Sequence, residues 1–129
     1  MNIEAFLQLY CYLALIAIMA ISLYGVVRGA SLTKKLIALS IFGDVANVLI
    51  IYIGFRLGTP QPPILHVEAP TPTDIAWFAS VAVDPVPQCL VVTAIVINMA
   101  ITMLIAFLII QVYRLYGTIM VKKITRLKG

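Results

Sequence analysis

LIALSIFGDVANVLIIYIGF, residues Leu36 to Phe55, is the stretch whose reading decides the fold. A helix rising about 1.5 Å per residue needs roughly 20 apolar residues to cross a hydrocarbon core of about 30 Å, and this run meets that length. Its polar residues do not scatter. Wound as a helix, Ser40, Gly43, Asp44 and Asn47 fall on one face at spacings of three and four, with aliphatic side chains over the remaining circumference. An ionised aspartate at the bilayer centre costs about 2.5 to 3.5 kcal/mol on insertion scales, so such a residue faces a protein partner or a wet cavity. Asp44, near mid-membrane, is therefore the first functional candidate.

On one side of this helix the connection Arg28 to Lys35 is short and basic, which predicts an antiparallel hairpin with the helix before it. Ser31 or Thr33 can cap the exposed N–H groups of the second helix. On the other side lies a long outer loop, residues 57–84, and all seven prolines fall in or just after it. Pro60, Pro62 and Pro63 force an extended course. Thr71, Pro72, Thr73 and Asp74 then read as a helix start, with Thr71 as cap, Pro72 at the first position and Asp74 as reciprocal partner. The expectation is a short helix over about 72–82, with Ile75, Phe78 and Ala79 on one side and Trp77 adjacent, lying on the membrane face or on a partner.

Two further apolar runs flank this centre, at about 3–27 and 88–113. The first has no basic residue before it and no small-residue cleavage site after it, so it reads as a retained helix, with Ala14, Ala17 and Ala20 as small packing residues. The last is opened by Asp84, Pro85, Val86, Pro87 and Gln88, a capping sequence in which Asp84 satisfies N–H groups and Pro85 needs none. Within it Ala94, Asn98, Thr102 and Ala106 form a small and polar stripe, and Asn98 is placed to meet Asp44 or Asn47. Thr93 lies about 140° from Asn98 on the helical wheel and should look at a different neighbour.

The whole chain has 129 residues, 63% hydrophobic and 11% charged, which makes it an all-α membrane protein with three transmembrane helices, a Pro-rich outer loop and a basic cytoplasmic tail over 114–129. Of its nine Lys and Arg, only Arg56 lies on the long-loop side, beside Glu4, Glu68, Asp74 and Asp84. The other basic residues fall on the opposite side, including Arg114, Lys122, Lys123, Arg126 and Lys128. The positive-inside rule then places the N-terminus outside and the C-terminus in the cytoplasm of a multi-pass plasma-membrane protein. The net charge of +4 reflects topology and contact of the tail with anionic headgroups, not nucleic-acid binding. His66 is the one histidine and no cysteine pair accompanies it, so no metal site and no cofactor are expected. Cys11 and Cys89 read as buried apolar thiols rather than a bridge.

Asp84-Pro85-Val86-Pro87-Gln88-Cys89-Leu90-Val91-Val92-Thr93-Ala94-Ile95-Val96-Ile97 resembles the "DPLPQALVLTAIVI" signature of the C subunit of Mrp-type multisubunit cation/proton antiporters. Gly58-Thr59-Pro60 with Pro63-Ile64, and Val45-Ala46-Asn47-Val48-Leu49, resemble other parts of the same family, so the likeness spans about 24–113. That family is homologous to the K subunit of respiratory complex I, whose two membrane glutamates fall by position on Ser40 and Thr93. Neither can ionise. The two-carboxylate relay is absent as such, and Asp44, one turn beyond the first lost site, could supply a displaced acid on the same face. Mrp-type C subunits also occur in membrane-bound hydrogenases and sulfur-reducing complexes, and the enlarged outer loop points toward such a respiratory assembly.

The reading is a small membrane subunit of an ion-translocating complex, supporting sodium/proton antiport or proton translocation among other membrane subunits. Asp44 is the acid of the path, and Ser40, Asn47, Thr93 and Asn98 are its polar lining. The alternatives are a purely structural clamp in which a protonated Asp44 is interhelical glue, and an independent small transporter. No catalytic residue is expected, because no nucleophile, base and orienting group lie together.

Overall fold

The computed structural model describes residues 3–55, 61–65 and 67–126. Arg56, Gly58, Thr59, Pro60, His66 and Lys128 lie outside them. Every regular element described is a helix: α1 (Ile3–Arg28), α2 (Leu32–Ile53), α3 (Pro72–Val81), α4 (Pro85–Tyr116) and α5 (Val121–Ile124). Three of these, α1, α2 and α4, are long and apolar enough to cross a membrane.

The starts of these helices are set by caps rather than by where the apolar runs begin. Ser31 Oγ accepts the backbone N–H of Lys34 at 3.4 Å, so Thr33, Lys34 and Lys35 form the first turn of α2 instead of a loop, and the helix opens at Leu32 rather than Leu36. Asp84 Oδ1 accepts the N–H of Val86 at 3.0 Å, and Pro85 takes the first position of α4. In α3, Thr71 and Asp74 cap each other reciprocally.

α2 is the middle of the molecule, packed by α1 on one side and α4 on the other. Both neighbours run antiparallel to it. Towards α1, Tyr52 Oη donates to the Gln8 carbonyl at 2.8 Å and Tyr12 lies tilted against Tyr52 with ring centroids 6.3 Å apart. At the other end of this pair Gly25 faces Ala38, so closely that a Cβ on the glycine would stand 2.9 Å from the alanine methyl. That contact, with buried Ser22 beside it, brings the helices together, whereas Ala17 and Ala20 are exposed on α1. Towards α4, Gly54 abuts the Pro87 ring, Val91 is buried, and Ala94, Asn98, Thr102 and Ala106 are half-buried along the contact.

The connections are tied as well. Gln61 N–H donates to the Val81 carbonyl at 3.2 Å and its own carbonyl accepts from Val83 at 3.1 Å, which pins the end of α3 and buries Ala82 and Val83. α3 turns Phe78 partly inward and leaves Ile75, Trp77 and Ala79 exposed. Over its described residues, 114–126, the tail is not one continuous helix. Gly117, at φ 66°, ends α4, and the chain returns to the α1–α2 connection: Leu32 N–H donates to Ile119 O at 3.0 Å and Val121 N–H to Ala30 O at 3.2 Å. Among the described residues a single turn, α5, follows, because a left-handed residue stops the helix and the returning backbone finds partners at Ala30 and Leu32.

Candidate site at the α2–α4 groove

Asp44 lies near the middle of α2 and Asn98 near the middle of α4, and the antiparallel packing sets them opposite each other. The Asn98 amide Nδ2 donates to Asp44 Oδ1 at 3.2 Å. What lets the two helices come this close is Gly43. A Cβ there would stand 2.8 Å from both Nδ2 and Oδ1 of Asn98 and 3.0 Å from its Cγ. The glycine is needed for space, not for an unusual backbone angle.

Asp44 and Ser40 from α2, with Ile95, Asn98, Met99, Thr102 and Met103 from α4, line a groove of about 270 Å³. Ser40 and Thr102 are half-buried and Asp44 is exposed, so the groove opens sideways, away from the molecule. No residue lining it is cationic. Its chemistry is a carboxylate, an amide and two hydroxyls: oxygen donors that suit a proton or a hard cation. Among the described residues no cluster of His, Cys, Asp and Glu can hold a metal ion, and Cys11 and Cys89 are free and exposed.

Of the residues singled out in the sequence, Ser40, Asp44 and Asn98 come together. Asn47 does not join them; it is buried one turn further along α2. Thr93 is exposed on α4 and does not line the groove, as its angular distance from Asn98 requires. Asp84, Pro85 and Pro87 start α4 and seat it against Gly54, and Gln88 is exposed. The groove also holds residues that sequence reasoning leaves off the path: Thr102, whose place in the small-polar stripe is the available signal, and Met99 and Met103, which carry none. Gly43 belongs to the polar face of α2 by its spacing, but its role as the point of close approach depends on which α4 residue stands opposite.

Residues 10–129 match the family profile described as NADH-ubiquinone/plastoquinone oxidoreductase chain 4L. The chain is 32% identical over 100 residues, 77% of its length and 76% of the relative's, to the C subunit of the Na(+)/H(+) antiporter of Alkalihalophilus pseudofirmus. It is also 32% identical over 99 residues, 77% of this chain and 73% of the other, to an uncharacterized protein of Methanocaldococcus jannaschii. Among solved structures it is similar to a chain of the membrane-bound sulfane sulfur reductase, an archaeal respiratory membrane complex, with TM-score 0.71 and 40% identity over 86% of this chain and 93% of that one.

Proposed function

The chain belongs to the family of NADH-ubiquinone/plastoquinone oxidoreductase chain 4L, and from that premise we propose that it lines one wall of an ion path, with Asp44 as the acid on that wall. It is a small, multi-pass membrane subunit of a multisubunit ion-translocating complex. The respiratory title of one relative and the antiporter title of another support an Mrp-type module within a respiratory assembly as its setting.

The observation that carries the residue-level reading is the Asp44–Asn98 pair at mid-span, held at 3.2 Å on the rim of a groove that faces outward. A carboxylate in that position is unfavourable against hydrocarbon. A neighbouring subunit that covers the groove, and the water it admits, would give Asp44 a medium in which to take up and release a proton or to meet a cation. Ser40, Asn98 and Thr102 supply hydrogen-bonding groups on the same wall. Asn47 and Thr93 stand apart from this wall, and the chain contributes no catalytic group of its own. Its N-terminus is outside and its tail cytoplasmic, by the distribution of basic residues.

The test is Asp44→Asn in the assembled complex, with ion transport measured in sealed vesicles across a pH series. The expected result is a reduced rate and an altered pH profile with the complex still intact. A second reading rests on the tight fit of Asn98 over Gly43, which would suit a clamp in which a protonated Asp44 only fastens helices. Unchanged transport in Asp44→Asn would favour that clamp.

A further inference from the structure

A second groove, about 410 Å³, lies between α1 and α2 at the end where the tail docks. Its floor is made by Ser22, Gly25 and Ala38, and its walls by isoleucines from both helices, Ile18 and Ile21 on one side, Ile37 and Ile41 on the other. The one hydroxyl in that floor is satisfied locally, since Ser22 Oγ donates to Met19 O at 2.8 Å. Lys34 is the sole charged residue in the lining, and it stands in the first turn of α2.

The surroundings of Lys34 settle what kind of occupant fits. Lys35 is engaged with the Val27 carbonyl at 3.3 Å, leaving Lys34 to face outward. Ser31, which accepts the Lys34 N–H, is bridged to Met120, so the docked tail brings Lys122 and Lys123, both exposed, to the same end of the hairpin. The result is an apolar groove on membrane-spanning helices with Lys34 at one mouth and Lys122 and Lys123 at the same end of the hairpin. A transmembrane helix laid in this slot would meet its apolar part alone, whereas a lipid meets the apolar floor and the exposed Lys34 at their natural depths. Basic pockets between membrane helices at the cytoplasmic side bind anionic headgroups by this arrangement.

We infer that the α1–α2 groove holds a structural phospholipid with an anionic headgroup, one acyl chain lying on Ser22, Gly25 and Ala38 and the phosphate meeting Lys34 with Lys122 or Lys123. The docked tail is then part of the lipid site: it carries two of the charges and is fixed by backbone hydrogen bonds to residues next to Lys34. Asp44 takes no part in it.

The intact complex, reconstituted with phosphatidylglycerol or phosphatidylcholine bearing the same photoactivatable acyl chain, tests this directly. The anionic probe should label peptides containing Ile18, Ile21, Ile37 or Ile41 about fivefold more than the zwitterionic one, the factor that one lysine near a membrane surface supplies. Lys34→Gln should remove most of that preference. Should this variant assemble poorly, Ile37→Trp, which fills the groove and leaves every lysine in place, should lower labelling by both probes. Equal labelling by the two lipids, or absence of label from these peptides, overturns the inference. So does efficient cross-linking of Ile21→Cys to another protein of the complex, since a protein helix would then occupy the slot.

Discussion

A β-carbon at Gly43 would stand 2.8 Å from two polar atoms of Asn98, so the α2–α4 contact depends on a single missing methyl group. Gly43→Ala is expected to push the Asn98 amide aside and loosen the Asp44–Asn98 hydrogen bond, an overpacking cost of about 1 to 3 kcal/mol offset by the roughly 0.5 to 1 kcal/mol that alanine gains over glycine inside a helix. Asn98→Ala removes the obstruction, and the double variant should be more stable than the sum of the two single effects. Thermal unfolding of the purified complex reads all three, and strictly additive losses would mean that Gly43 and Asn98 do not meet. The hydrogen bond itself is a smaller effect, since interhelical bonds in membranes average about 0.6 kcal/mol. Much of this site could be read from residue type alone, because a carboxylate and two amides inside apolar runs are conspicuous. The choice of Asp44 over Asn47 as the partner of Asn98 could not, since both lie on one helical face and only the register of α4 against α2 separates them.

At the scale of elements, the capped starts of α3 and α4 are legible in the sequence, whereas the start of α2 at Leu32 and the helix ends and returns are not. The Thr71–Asp74 capping box is local chemistry, four residues long, and it forms as its sequence implies. The Thr71 hydroxyl donates to Asp74 Oδ2 at 2.6 Å and the Thr71 backbone N–H at 2.9 Å. These two bonds hold the carboxyl below its ordinary 3.8, outweighing a small opposing effect of burial. Because the folded value is the lower one, α3 gains stability that is complete above the ordinary value and is lost as acidification passes through the folded one. Hydrogen exchange corrected for its intrinsic pH dependence should show residues 72–81 losing protection over that acidic window. Asp74→Asn should have lower protection at neutral pH and little further change on acidification. The return of the tail is not legible in the sequence because its partners, Ala30 and Leu32, are about ninety residues away and bind through backbone groups that carry no side-chain signature. Gly117 at φ 66° makes the turn that sends it there. Gly117→Ala should strain that turn by about 1 to 2 kcal/mol and raise proteolytic cleavage after Lys122 and Lys123 while leaving α4 intact.

Few residues of the three long helices are buried within the molecule: Ser22 in α1, Ala38, Val45 and Asn47 in α2, and Val91 in α4. Their outward faces are apolar, apart from the groove where Asp44 opens sideways. A chain of this kind is under opposite demands depending on its company. Alone in a bilayer, Asp44 is set against hydrocarbon at a cost of about 2.5 to 3.5 kcal/mol, and replacing it by leucine relieves that cost. Inside an assembly, a partner that presents water or polar groups to the groove makes the same leucine a loss. Asp44→Leu should therefore raise the amount of membrane-inserted chain when the protein is expressed by itself, measured as the fraction resistant to alkaline extraction. With the full set of subunits present it should lower the yield of assembled complex, or its transport, relative to the unaltered chain. A leucine variant that behaves like the original chain in both settings would place the carboxylate out of contact with lipid and partner alike, and would remove the reason for giving it a role in ion movement.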